Sequence, residues 1–98
     1  VGQSYFYATP RWKKKRAKIL RRDKYMCQES LRYGKRTDAD TVHHIYPLSE
    51  YPEYGYCDWN LISLSSKAHN AMHDRNTNKL TFLGEIYKNK TIPPTFNS

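Results

Sequence analysis

Two stretches of the sequence decide the fold. They are residues 41–45, Thr41-Val42-His43-His44-Ile45, and residues 59–73, Trp59-Asn60-Leu61-Ile62-Ser63-Leu64-Ser65-Ser66-Lys67-Ala68-His69-Asn70-Ala71-Met72-His73. The first has the β-branched content of a short strand and is closed by Pro47. Trp59 to Leu64 reads as a second strand, and Ser65-Ser66 as the capped start of a helix carrying Ala68, His69, Ala71, Met72 and His73. A loop from Leu48 through Ser49, Pro52 and Gly55 to Asp58 joins the strands. Strand, loop, strand and helix in this order predict an α+β core.

These stretches hold all four histidines of the chain. Residues four apart on a helix stand on one face, so His69 and His73 can reach one cation together. Taken alone, the pair reads equally well as two surface histidines. The strand pair favours the metal. Adjacent strand residues point to opposite faces, so His43 and His44 cannot both serve the same ion from a regular strand. One of them, turned toward His69 and His73, completes a three-histidine site with open positions, as a catalytic metal requires. The other is free to move a proton, since an imidazole with a pKa of about 6.5 is largely neutral near pH 7.

Upstream, Thr9-Pro10 marks a helix start: Thr caps the free amides, and Pro is tolerated at the first helical position. The predicted helix runs from Pro10 to Arg22. Trp12, Ile19 and Leu20 form its apolar stripe, while Lys13, Lys14, Lys15, Arg16, Lys18, Arg21 and Arg22 cover most of the remainder. Residues 1–36 carry twelve of the seventeen Lys and Arg against Asp23 and Glu29, a net +10, whereas residues 37–98 carry a net −2. Such a block is either a solvated face or a phosphate-binding surface. The histidines favour the second. Asp23 to Asp40, with Gly34 and no sustained periodicity, predicts a turn and a short irregular hairpin. Thr81 to Tyr87 predicts one more short helix, and residues 91–98, with Pro93-Pro94, a flexible tail.

A chain of 98 residues is expected to form one domain, residues 1–98, with a modest core that calls for a metal or a partner. No apolar run is long enough to span a membrane, and only Cys27 and Cys57 are present. A cytoplasmic protein without a disulfide framework is expected.

Val42-His43-His44-Ile45, Asn60-Leu61-Ile62-Ser63-Leu64 and His69-Asn70-Ala71-Met72-His73 together resemble the HNH endonuclease motif. Trp12, Arg21-Arg22-Asp23, Tyr25 and Cys27-Gln28 are similar to the lead-in of phage and bacterial HNH proteins. The resemblance covers residues 9–84 and implies a ββα-metal (His-Me finger) core preceded by a basic N-terminal helix. Within it, His44 corresponds to the general base, and His43, His69 and His73 to ligands of one divalent metal. Asn60 matches the asparagine that holds the inter-strand loop and so orients the base; by itself it reads as an ordinary turn residue. Hydrolysis of DNA, double-stranded by expectation, to 5′-phosphate and 3′-hydroxyl ends is implied. A setting beside phage packaging proteins also rests on the family. Three imidazoles suit Mn, Ni, Co or Zn at least as well as Mg, which prefers oxygen ligands.

The chain departs from many relatives at the paired C-x-x-C knuckles that hold a structural zinc. Cys27-Gln28-Glu29-Ser30 keeps one cysteine and Ser65-Ser66-Lys67-Ala68 keeps neither, so no structural zinc is expected. The alternative is a catalytically inactive nucleic-acid-binding module on a degenerate scaffold, against which all four histidines and Asn60 speak. A metalloprotease would need the glutamate of H-E-x-x-H, where this chain has Asn70.

Overall fold

The structure is a computed structural model and describes residues 2–94. Helix α1 (Gly2–Ala8) is followed after one residue by α2 (Pro10–Arg22), then α3 (Gln28–Arg32), β1 (Thr41–His44), β2 (Leu61–Leu64), α4 (Ser66–Asn70) and α5 (Phe82–Lys90). The strands form a two-stranded antiparallel sheet that pairs Thr41 with Leu64, Val42 with Ser63, His43 with Ile62 and His44 with Leu61. No helix among the described residues is long and apolar enough to cross a membrane.

Thr9 caps α2 as expected, its side chain accepting from the Trp12 amide at 3.2 Å, with Pro10 in the first turn. The stripe of Trp12, Ile19 and Leu20 is buried against Ala39, Val42 and Leu61, and Phe6 of α1 packs on the same cluster. Helix α1 lies before Thr9, where the sequence carries no periodic signal. At the other end of α2, Arg22 donates to the carbonyls of Asp58 at 2.9 Å and Leu61 at 2.7 Å. Asp23 accepts from the Ser63 amide at 3.0 Å. This neighbouring ion pair therefore clamps the helix end to β2, with Asp23 largely covered and the Arg22 side chain still exposed.

Residues 23–40 do not form a hairpin. A single antiparallel bridge, Met26 with Asp38, encloses α3. The chain enters through Lys24 and Tyr25, both left-handed at φ 58° and 57°, and leaves α3 through Gly34 at φ 77°, a conformation open to glycine without a Cβ penalty. Buried Glu29 pairs with Arg32 at 2.9 Å and accepts a hydrogen bond from the Tyr87 hydroxyl, which ties α3 to α5. Around this joint lies a second core of Cys27, Ile45, Leu64, Met72 and Tyr87, with Ala68 and Leu83 packed against it. Cys27, Ser30, Ser65 and Ala68 stand at the knuckle positions. Burial works against the Cys27 thiolate, but hydrogen bonds with Ser30 and Ser65 outweigh it and hold the thiol below its ordinary range.

Three further boundaries differ from expectation. The second strand begins at Leu61, because Asp58–Asn60 forms a 3-10 turn in which the Asn60 side chain bonds backbone across the loop. Helix α4 stops at Asn70, so His73 is not on it; His73 instead pairs with Leu80 in an antiparallel bridge. Helix α5 extends to Lys90, beyond the expected Tyr87. It approaches the turn after α4 so closely that a Cβ at Gly84 would lie 2.5 Å from the Met72 carbonyl oxygen. Residues 91–94 carry no regular element, and residues 95–98 of the expected tail lie outside the described residues.

Candidate metal centre and active site

The pleat of β1 separates its two histidines as anticipated. His43 turns toward the segment that follows β2, and His44 turns toward α1 and α2. The His43 ring lies 5.2 Å from those of both His69 and His73, which are 5.5 Å from each other. One nitrogen of each ring lies within 4.8 Å of the others. His69 comes from α4, whose start Ser65 caps by accepting from the Ala68 amide at 3.1 Å. His73 is held beyond the helix by Thr81, which donates from its amide to the Met72 carbonyl at 2.9 Å and from its hydroxyl to the Ala71 carbonyl at 2.6 Å. Tertiary bonding thus places His73 where the helical repeat does not extend.

The chemistry of this cluster fits a cation. Both His43 nitrogens and His73 Nδ1 are buried with no hydrogen-bond partner among the described residues, an expensive state for polar atoms unless something is bound there. Burial, then the neighbouring imidazoles, push His43 down to about 2. His69 is lowered by burial and by His73, against the opposing pull of Asp40, and His73 by burial, partly offset by the Asn78 backbone. Neutral imidazoles are the form that ligates metal.

His44 is 5% exposed and sits in an aromatic enclosure. Trp12 stacks on it with centroids 5.0 Å apart and planes at 24°, and Phe6 meets it edge-on at 5.7 Å. Its Nε2 lies 3.0 Å from the Gly55 carbonyl oxygen. A carbonyl only accepts, so Nε2 carries the proton and Nδ1 is left with the basic lone pair. The Tyr7 hydroxyl stands 3.4 Å from that Nδ1. Burial lowers the His44 pKa and the Gly55 carbonyl partly restores it, which leaves the ring neutral and able to accept a proton near pH 7.

Asn60, fully buried, locks the loop that delivers Gly55. Its Oδ1 accepts from the Tyr46 amide at 2.7 Å, and its Nδ2 donates to the carbonyls of Tyr46 and Tyr54, each at 3.2 Å. A cleft of about 420 Å³ joins the two histidine faces, lined among others by Tyr7, Trp12, Arg16, His43, His44 and His69.

The eight basic residues of α2 divide, and Arg11, outside the seven read from the sequence, lies over the Tyr56 ring at 3.7 Å. Lys15 and Lys18 both bind the Asp58 carboxylate, at 2.5 and 2.9 Å, Arg16 donates to the Asp40 carbonyl, and Arg22 serves the clamp on β2. Lys13, Lys14 and Arg21 are exposed and make no such contact among the described residues. Sequence reasoning missed Tyr7, Gly55 and Asp58. The short segment before Thr9 carries no periodic signal, a backbone carbonyl has no sequence signature, and the partners of Asp58 lie far from it in the chain.

A consequence for stability follows from the depressed histidines. In the unfolded chain they titrate near about 6.5, so as pH falls the unfolded state takes up protons first. The metal-free protein keeps its full stability from these groups above that value and loses it through the acid range, for His43 down to about pH 2. Urea unfolding at about pH 7.5 and about pH 5.5, on either side of the unfolded pKa, should give a lower midpoint at the acid value. An equal or higher midpoint would show that the buried rings accept protons without cost.

No protein-family model and no curated protein matches the chain. Among solved structures, the HNH endonuclease of the deep-sea thermophilic bacteriophage GVE2, crystallised with a manganese ion, is similar in fold and sequence. The TM-score is 0.68 and the identity 35%, over 70% of this chain and 75% of that one.

Proposed function

Because the chain belongs to the HNH endonuclease family, we propose that it is a metal-dependent endonuclease that hydrolyses phosphodiester bonds in double-stranded DNA. The observation that carries this reading is one cleft lined both by His43 and His73, whose buried nitrogens lack hydrogen-bond partners among the described residues, and by His44, whose Nδ1 keeps the basic lone pair. His43, His69 and His73 hold one divalent ion. When bound, it supplies Lewis-acid stabilisation to the charge that gathers on the phosphate and the leaving oxygen. His44 accepts a proton from water at Nδ1, and the Gly55 carbonyl steadies the imidazolium that results. Trp12 and Asn60 fix the ring and the loop. The water oxygen bonds phosphorus and the 3′ oxygen leaves, giving 5′-phosphate and 3′-hydroxyl ends.

Manganese, carried by the phage relative, is the first ion to try. Nickel, cobalt and zinc suit imidazole donors more than magnesium does. Incubating supercoiled plasmid with the protein and each ion tests the reading: nicked or linear product that a chelator suppresses supports it. DNA binding without cleavage under every ion would favour an inactive binding module. A place beside phage packaging proteins, in a host cytoplasm, is part of the same proposal.

The exposed cations Lys13 and Lys14 are the proposed phosphate contacts, together with Arg21. Each contact removed should reduce the log–log salt slope of DNA affinity by about 0.9. Replacing Lys13 and Lys14 by alanine should therefore flatten the slope, measured by fluorescence anisotropy over a salt series. Replacing Lys15 and Lys18, already held by Asp58, should leave it nearly unchanged. The reverse pattern would move the DNA surface to the Asp58 side of the helix.

A further inference from the structure

The geometry points to Tyr7 as a positioning residue that stations the attacking water on His44 Nδ1. This inference rests on the endonuclease reading above. Nε2 of His44 is committed to the Gly55 carbonyl, so the side-chain hydroxyl of Tyr7, 3.4 Å away, is the group that meets the free lone pair on the other side of the ring. Tyr7 comes from α1, outside β1, α4 and the bridge segment after α4 that supply the four histidines. Its placement is not casual. Thr9, the residue between α1 and α2, donates from its hydroxyl to the Phe6 carbonyl at 2.8 Å while capping α2. Phe6 is seated on the core, and the Tyr7 ring meets Trp12 edge-on at 5.4 Å and 78°. Trp12 in turn stacks on His44, so phenol, indole and imidazole form one packed unit at the wall of the cleft.

A hydroxyl at this spot could lock the base or serve it. Hydrogen bonds from hydroxyl donors usually span about 2.5–3.0 Å, so a 3.4 Å contact from a residue that is 41% exposed is weak. When the exposed phenol turns outward from this direct contact, a water bound to both groups donates one hydrogen bond to Nδ1 and accepts one from the Tyr7 hydroxyl, which leaves its remaining lone pair directed into the cleft. Burial raises the Tyr7 pKa, so the phenol remains a donor throughout the neutral range. In the reaction the water's proton passes to Nδ1, the water oxygen bonds phosphorus, and the P–O3′ bond breaks. The leaving oxygen takes a proton from solvent, and Tyr7 keeps its own.

Tyr7→Phe tests this, since it preserves the ring packing and removes only the hydroxyl. The expected result is a fall of about tenfold in kcat for plasmid cleavage, the size of one hydrogen bond felt in the transition state. KM for DNA, the melting temperature and the affinity for Mn²⁺ measured by calorimetry with the metal alone should all stay as in the wild type. An unchanged kcat would overturn the role, and a raised kcat would make Tyr7 a lock. A raised KM with kcat retained would make it a DNA contact, also against the proposal. Wild-type protein that cuts no DNA under any metal would instead remove the endonuclease premise, and this inference with it.

Discussion

His44→Ala is expected to lower plasmid cleavage by between about 10² and 10⁴-fold, the range of a positioned general base, while leaving Mn²⁺ affinity close to that of the wild type. The basis is the division of labour across the pleat of β1. His44 faces Trp12, Tyr7 and the Gly55 carbonyl, whereas His43 faces His69 and His73. Removing the first should take away the proton acceptor and leave the ligand cluster intact. His69→Ala or His73→Ala should reduce metal affinity and cleavage together. Calorimetric titration beside a gel assay separates the two. If His44→Ala lost Mn²⁺ as severely as His69→Ala, His44 would be a ligand and the division wrong.

The second large effect is on stability. Asn60→Ala should cost about 3 kcal/mol in denaturant unfolding, because it strands the Tyr46 amide and the carbonyls of Tyr46 and Tyr54, and a buried polar group left unpaired costs about 1–3 kcal/mol. It should also reduce cleavage with Mn²⁺ affinity retained, since the loop that presents the Gly55 carbonyl to His44 loses its lock. A cost below about 1 kcal/mol, the worth of one ordinary hydrogen bond, would mean that the loop is held instead by its ring cluster of Tyr46, Tyr51, Tyr54 and Trp59.

Local signals carried much of this into the sequence. The apolar stripe of α2 and its Thr-Pro start are periodic and capping features, and both appear in the structure. The opposed faces of His43 and His44 follow from the two-residue repeat of any strand. His73 shows the limit. The four-residue spacing places it beside His69 for a helical reason, yet α4 ends at Asn70 and the bonds of Thr81 to Ala71 and Met72 carry His73 into the cluster. The right juxtaposition arises from a contact that spacing does not encode. The same holds for charge. The chain's basic half reads as one surface, but Asp58 captures Lys15 and Lys18, and Arg22 is drawn into backbone bonds with β2. Pairings between residues distant in sequence have no local signature.

On the proposed reading, cleavage depends on a single ion held by His43, His69 and His73. The most direct test follows Mn²⁺ binding and plasmid cleavage over the same titration of chelator-treated protein. Both signals should rise together and saturate at one ion per chain, and both should be lost in His69→Ala. Cleavage that proceeds before any ion binds, or that begins only after a second has bound, would rule out a one-ion site.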